Sequence, residues 1–293
     1  MIVIQIYGGL GNQFFQYAFG RRLAQAKGVP LGLDIAHYQQ DRRRAYGLGH
    51  FNIQARPVTP QEALRAQGRA GQSLLARAWR QRHRLLSYYR RRLVIEQRPF
   101  VYDPRLLQVR SDAYLRGYWQ NEKYFAPIGD RLRAELTLKA PLSPASAAMA
   151  AEIDRTEAVG VHVRRGDYAE VPITRERHGL VSLEYYQRCA RQVLDEHPRS
   201  VFYMFSDDPA WVAGNLDLGG PCVLVDHNGP ERDFEDLYLL SRCRHFIIAN
   251  STFSWWAAWL SIWPTKRVFA PSRWQASGPD DPSDIVPAGW QRV

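Results

Sequence analysis

Cysteine is scarce in this chain of 293 residues. Cys189, Cys222 and Cys243 are odd in number and show no C-x-x-C spacing. That excludes a disulfide framework and a zinc ribbon, and it fits a reducing compartment. The eight histidines form no H-x-x-x-H pair, and neither H-E-x-x-H nor G-x-S-x-G occurs. The zincin and α/β-hydrolase readings fall with them. No metal site is expected, although a carboxylate-only Mg²⁺ site carries no sequence signature. Neither a P-loop nor a G-x-G-x-x-G fingerprint is present. A basic n-region with a cleavage site is also missing, so no signal peptide is expected. Long apolar runs are few. Residues 246–263 carry no charge, but Asn250, Ser251, Thr252 and Ser254 interrupt them. That stretch reads as strand, polar turn and buried helix, not as a membrane span.

Positive charge is what the chain has in excess. Thirty-nine Lys and Arg against 29 Asp and Glu give +10 and a pI near 9.7. Such a balance favours anionic partners: nucleotide phosphates, nucleic acid or acidic lipid. Between Leu64 and Leu93 there are nine arginines and no acid. Leu75, Trp79, Leu86, Tyr89 and Leu93 recur there near helical spacing, which predicts a basic amphipathic helix or helix pair. Such a helix serves as a solvated face or as a dock on an anionic membrane. The length suits two domains, 1–150 and 151–293.

Strands alternate with helices along most of the chain. Ile2–Tyr7 is a strand, Gly8-Gly9-Leu10-Gly11 a tight turn, and Asn12 the cap of a helix from Gln13 to Lys27. Ala113–Trp119 is a further strand, and helices follow near Ile128–Leu136 and Pro144–Arg155. The second half is cleaner: strands Ala158–Val163, Val201–Phe205, Val223–Val225, Phe246–Ile248 and Val268–Ala270 are separated by helical stretches. That order predicts an α/β fold with a parallel, helix-flanked sheet. Ligands in such sheets bind at the carboxyl ends of the strands. Three of those ends carry polar groups.

The first is His162-Val163-Arg164-Arg165-Gly166-Asp167. Arginine holds phosphate oxygens through two parallel N–H bonds, and a neighbouring carboxylate can accept a proton. The second is Ser206-Asp207-Asp208, ahead of Pro209. Its carboxylates either cap a helix or bond a base or ribose. The third is Asn250-Ser251-Thr252, at a helix N-terminus whose free N–H groups suit a phosphate. At the amino end, Gly9 lets backbone approach a diphosphate closely, and Asn12 and Gln13 offer amides.

These segments together resemble one family. GGLGNQFFQYAFG at 8–20, GVHVRRGDY at 160–168, FSDD at 205–208 and NSTFSWWAAWL at 250–260 are similar to the bacterial α-1,2-fucosyltransferases of glycosyltransferase family 11. The HxRRxD element is shared with α-1,6- and protein O-fucosyltransferases. The resemblance implies a GT-B-type fold, two Rossmann-like lobes with a cleft between them. It implies GDP-fucose as donor, inversion without a metal, no further cofactor, and O2 of galactose as the acceptor position. It assigns Arg164 to the β-phosphate and makes Asp167 the first candidate for general base, with Glu170 second. Gly9, Asn12, Gln13, His162, Arg165, Asp207, Asp208, Asn250, Ser251 and Thr252 would complete the donor site, with tying down the loop as the alternative for Arg165 and positioning either the loop or a phosphate as the part of His162.

The expected partner is a galactose-terminated oligosaccharide or lipid-linked glycan, met in the cytoplasm or at the inner face of the cytoplasmic membrane. Two rivals follow from the same residues. One is a transferase of another GDP-sugar. The other is a basic nucleic-acid-binding protein, which the lack of any recognised nucleic-acid motif disfavours.

Overall fold

The computed structural model describes residues 1–41, 43–69, 85–166, 176, 179–275 and 284–293. The chain divides into two compact units, Met1–Lys139 and Ala140–Val293. The division falls earlier than residue 150 because helix Pro144–Arg155 is tied to the second unit. Its cap, Ser143, donates to Glu235 through both N (3.0 Å) and Oγ (2.7 Å).

Unit 1 comprises β1 (Ile2–Gln5), α1 (Leu10–Ala26), β2 (Leu31–Asp34), β3 (Arg56–Pro57), α2 (Pro60–Ala66), β4 (Leu93–Ile95), β5 (Tyr114–Arg116) and α3 (Gly129–Glu135). Its sheet runs β3-β2-β1-β5-β4, with every pairing parallel. The strands are short and largely apolar on the inside: Ile2, Val3, Ile4, Leu33, Val94 and Leu115 are buried, and the buried Asp34 accepts from Tyr114 Oη at 2.6 Å. A parallel strand covered on both faces needs that composition. Helix α1 caps on Gly9, not on Asn12, and begins at Leu10. The reason is local. Gly8 takes φ +81, and a Cβ there would sit 2.8 Å from Asn12 Nδ2, so Asn12 lies one turn inside. Helix α2 starts with a reciprocal capping box between Thr59 and Glu62.

The acid-free run is not one helix where it is described. Residues 88–90 form a single 3₁₀ turn, and Leu93 opens β4, paired with Tyr114. Residues 70–84 lie outside the described part.

Unit 2 comprises α4 (Pro144–Arg155), β6 (Glu157–Val163), α5 (Leu183–Glu196), β7 (Ser200–Ser206), α6 (Pro209–Asn215), β8 (Cys222–Val225), α7 (Asp233–Arg242), β9 (His245–Ile247), α8 (Thr252–Leu260), β10 (Val268–Ala270) and β11 (Gln291–Arg292). Its sheet runs β11-β10-β9-β6-β7-β8, again parallel throughout. β6 is central, and Ala158–Val163 are all buried. Helix α5 lays Tyr185, Tyr186, Cys189, Ala190 and Val193 on that sheet. Tyr185 Oη lies 2.8 Å and 2.9 Å from the carbonyls of Ile248 and Phe269, pinning the helix to two strand ends. Trp255, Trp256 and Trp259 are buried in α8, so these rings pack the core, whereas Trp263 beyond the helix is exposed. Among the described residues, no helix is long and apolar enough to cross a membrane.

Candidate functional site

The strand register of unit 2 builds the site. β6 pairs with β7 on one side, Val163 opposite Ser206, and with β9 on the other, Val161 opposite Ile247. The segments that follow these three strands therefore leave the same edge side by side. Arg164 and Arg165 emerge beside Asp207 and Asp208.

Arg164 Nη1 lies 2.8 Å from Asp207 Oδ2, and the Arg165 amide donates to Asp207 Oδ1 at 2.8 Å. One carboxylate thus holds both the guanidinium of the first arginine and the backbone of the second. Gly166 is required for this approach, since a Cβ there would lie 2.4 Å from Asp207 Oδ2. Arg165 points elsewhere. Its guanidinium carbon sits 3.5 Å from the centre of the Trp211 ring, and Nε is 3.2 Å from Asp208 Oδ2. Asp208 also accepts from the Trp211 amide at 3.2 Å, capping α6. Adjacent arginines have therefore separated. Arg164 stands at the strand tip, while Arg165 and Asp208 fasten the loop to α6.

His162 lies beneath the loop, 5% exposed. Its ring centre is 5.4 Å from that of Phe253. Nδ1 has no hydrogen-bond partner among the described residues. Burial, aided by Arg164 and opposed by Asp207, pushes the imidazole down to about 4. His162 is thus a neutral packing residue supporting the loop. The unfolded chain takes up a proton near pH 6.5 that the folded chain refuses until about pH 4. Stability should therefore fall as pH drops through that window, by about 3 kcal/mol from this group. Hydrogen exchange of the β6 and β7 amides against urea, in wild type and His162→Phe at steps from pH 7 to 4.5, tests it, and the variant should show the flatter acid limb. Parallel curves would mean that folded His162 carries the proton after all. His245, also pushed down to about 4, and Asp236, raised to about 7, are common to both proteins and cancel in the difference.

At the β9 edge, Ser251 caps α8 by accepting from the Phe253 amide at 3.4 Å, and Thr252 opens the helix. Asn250 Nδ2 donates to the Trp274 carbonyl at 3.3 Å. Ser251 thus takes up the Phe253 amide, and what the α8 terminus presents to an anion is the positive end of the helix dipole.

At the β8 edge stands a carboxylate that the sequence pattern does not single out. Asp236, in the first turn of α7, accepts from Asn228 Nδ2 at 2.8 Å. Burial, with help from Asp233 and Glu235, raises its carboxyl to about 7. In sequence it is one of three acids in a helix's first turn, the usual answer to the helix dipole. Only tertiary burial sets it apart.

In unit 1, Gln13 is not available to a ligand. Nε2 donates to Gly8 O (3.1 Å) and Ala45 O (2.8 Å), and Oε1 accepts from the amides of Gly47 (2.9 Å) and Leu48 (3.3 Å). All four bonds of the amide are used, so Gln13 is a structural tie. Asn12 Oδ1 accepts from Gln120 Nε2 at 2.6 Å, and Gly9 serves as the cap of α1. Asp167 and Glu170 lie outside the described residues. Among those described, no three His, Cys, Asp or Glu side chains gather as a metal site.

Comparison with known proteins gives the family and the fold. The model of glycosyl transferase family 11 matches residues 104–292. An alpha-1,2-colitosyltransferase of Escherichia coli is 28% identical over 299 residues, covering 100% of this chain and 99% of that one. A galactoside alpha-(1,2)-fucosyltransferase 1 of Leontocebus fuscicollis is 30% identical over 155 residues, 50% of this chain and 42% of that one. Among solved structures, Arabidopsis thaliana FUT1 with GDP aligns with TM-score 0.55 at 12% identity, covering 97% of this chain and 74% of that one. NodZ alpha-1,6-fucosyltransferase soaked with GDP-fucose aligns with TM-score 0.51 at 16% identity, covering 88% and 92%. Those likenesses show the GT-B fold.

Proposed function

The chain belongs to glycosyl transferase family 11, and we propose that it moves L-fucose from GDP-β-L-fucose to O2 of a galactose residue, with inversion to an α-1,2 linkage. The observation that carries this reading is the edge of the unit 2 sheet. There Arg164, held by Asp207, stands on the strand between Asp207-Asp208 and the N-terminus of α8. A guanidinium and a helix N-terminus on adjacent strand tips are what a nucleoside diphosphate needs when it leaves. The relatives named for α-1,2 transfer and for galactosides support the linkage and the acceptor. The solved fucosyltransferases in complex with GDP or soaked with GDP-fucose support the donor.

In this reading the acceptor hydroxyl attacks C1 of fucose, the C1–O bond to the β-phosphate breaks, and GDP departs. Arg164 and the first turn of α8, with Ser251 and Thr252, take up the growing negative charge. Asp236 reads the base or ribose, replacing Asp207 and Asp208, which are committed to the arginines. Asp167 accepts the hydroxyl proton, with Glu170 as the second choice. The acid-free run at 64–93 would hold the enzyme against anionic lipid at the cytoplasmic face of the inner membrane, where a lipid-linked acceptor is met.

A second reading has its own support. The relative matched over the whole chain is named a colitosyltransferase, and colitose is L-fucose without its 3-hydroxyl. The test is product analysis with each GDP-sugar and galactose-terminated disaccharides, with EDTA present. A Fucα1-2Gal product is the expected result. Transfer from GDP-colitose alone would keep the linkage and change the donor. Neither product nor GDP release from a folded protein would sink both readings.

A further inference from the structure

The carboxyl edge of the unit 1 sheet carries a cluster of rings that the donor reading does not use. Continuing the register of β1 with β5, in which Ile4 faces Leu115, places Tyr7 opposite Tyr118. Continuing β1 with β2, in which Gln5 faces Asp34, brings His37 and Tyr38 to the same edge. The rings meet there. Tyr7 and Tyr118 lie 4.6 Å apart at 43°, Tyr7 and His37 5.8 Å apart edge-on, and His37 and Tyr38 5.8 Å apart. Tyr7, Tyr38 and Tyr118 are half-buried and His37 is exposed, so the cluster reaches the surface of unit 1.

The cluster is held from below. Tyr38 Oη donates to the Gly8 carbonyl at 2.8 Å. Glu96, one residue past β4, accepts from the amides of Tyr118 (2.8 Å) and Trp119 (3.0 Å). Trp119 is held at φ +58, a conformation that L residues other than Asn and Asp rarely adopt. His37 Nε2 is 3.4 Å from Asp41 Oδ2. Next in the chain, Gln120 is 5% exposed. Its Nε2 is spent on Asn12, and its Oε1 has no partner among the described residues. A buried amide oxygen left without a donor is costly unless something supplies one.

Aromatic faces with a few polar groups at their rim are the chemistry that recognises a pyranose. We propose that Tyr7, His37, Tyr38 and Tyr118 form the seat of the acceptor's terminal galactose, with Gln120 Oε1 accepting from one of its hydroxyls. The proposal rests on the function inferred above and names the acceptor's seat within it. Galactose fits for a chemical reason. Its hydrogens on C3, C4 and C5 lie on one face and make an apolar patch the size of a ring, whereas the equatorial O4 of glucose breaks that patch.

Initial rates with galactose- and glucose-terminated disaccharides test it, in wild type and in Tyr7→Ala, Tyr118→Ala, Tyr118→Phe and His37→Ala. Losing a half-buried ring face should raise the galactoside KM about tenfold and erase the preference over glucoside. GDP affinity should stay unchanged, and Tyr118→Phe should behave as wild type. Unchanged acceptor KM in the alanine variants, or a raised donor KM instead, overturns the proposal. If a tyrosine variant fails to bind GDP, His37→Ala, exposed and free of core packing, gives the reading. Should wild type transfer to no galactoside, the function falls separately. Saturation-transfer NMR with methyl β-galactoside then decides the seat. A transfer signal seen with wild type and abolished in Tyr118→Ala supports it, and the lack of any signal with wild type ends it.

Discussion

Arg164→Ala is expected to lower the rate of transfer by about 10²–10³, the usual loss when one preorganised charge donor is taken from a developing anion. The geometry explains why the loss should reach catalysis as well as binding. Arg164 is fixed before any ligand arrives, because Asp207 Oδ2 holds Nη1 at 2.8 Å and Asp207 Oδ1 holds the next backbone amide at 2.8 Å. Its side chain is 19% exposed, so its charge is only partly screened. In the proposed site its removal would leave the Asp207 carboxylate toward the diphosphate with its cation gone, and repulsion would add to the lost attraction. Arg164→Lys should recover part of the rate, since the charge returns without the planar fork. Asp207→Asn should also lose rate, through a guanidinium no longer anchored. The double variant Arg164→Ala/Asp207→Asn should then be less impaired than the two single losses combined, because the second change acts through the first. Steady-state rates and GDP affinity by calorimetry measure both arms. Wild-type kinetics in Arg164→Ala would remove the phosphate clamp from the mechanism.

Much of unit 2 could be read from the chain because its central strands, β6 and β7, have seven residues each and its helices begin at caps. Ala158–Val163 is apolar without interruption up to His162, and Ser182, Asp208 and Ser251 each mark a helix start by accepting from an amide in its first turn. The three polar strand tips follow directly from that order. Unit 1 was harder. β4 spans Leu93–Ile95, directly after three arginines, and three residues are too few for any period to show. β3, like β11 in unit 2, has only two residues. They exist because a neighbouring strand pairs with them, which no local pattern reports.

The candidate site divides in the same way. Residue types at strand tips were visible, but which partner takes which group was not. Gln13 looked like a ligand amide beside a glycine turn, yet its own turn and residues 45–48 use all of its bonds. Asp208 was open between capping a helix and bonding a base or ribose, and Trp211 and Arg165 claim it for the cap. Asp236 looked like an ordinary first-turn acid, and only the packing around α7 raises its carboxyl to about 7. In each case tertiary packing decides the role.

Glu135→Ala is expected to destabilise unit 1 by about 3–5 kcal/mol, the usual cost of removing one partner from a buried ion pair. Glu135 is the last residue of α3, where a carboxylate opposes the helix dipole, so its position must be justified by what it meets. It meets two groups one turn apart on α1. Arg21 reaches it with Nε at 3.0 Å from both oxygens and Nη2 at 2.9 Å from Oε1. Tyr17 Oη donates to Oε2 and accepts from the Gln54 amide at 2.9 Å. Tyr17 is fully buried and Glu135 8% exposed; burial first, and the bond to Glu135 second, push the Tyr17 hydroxyl well above its ordinary range. Alanine would leave a guanidinium at 14% exposure and a phenol hydroxyl without their acceptor. Glu135→Gln should cost less, because the amide oxygen still accepts from Tyr17. The pair Arg21→Met with Glu135→Leu should recover most of the loss, since neither charge is then buried. With two units, one melting curve does not define one free energy, so hydrogen exchange is the better measurement. Amides of β1, β2 and β5 should exchange faster in Glu135→Ala while those of β6 and β7 keep their protection. Unchanged exchange in unit 1 would show that solvent or a rotamer change satisfies Arg21, and that this ion pair does not hold α1 to α3.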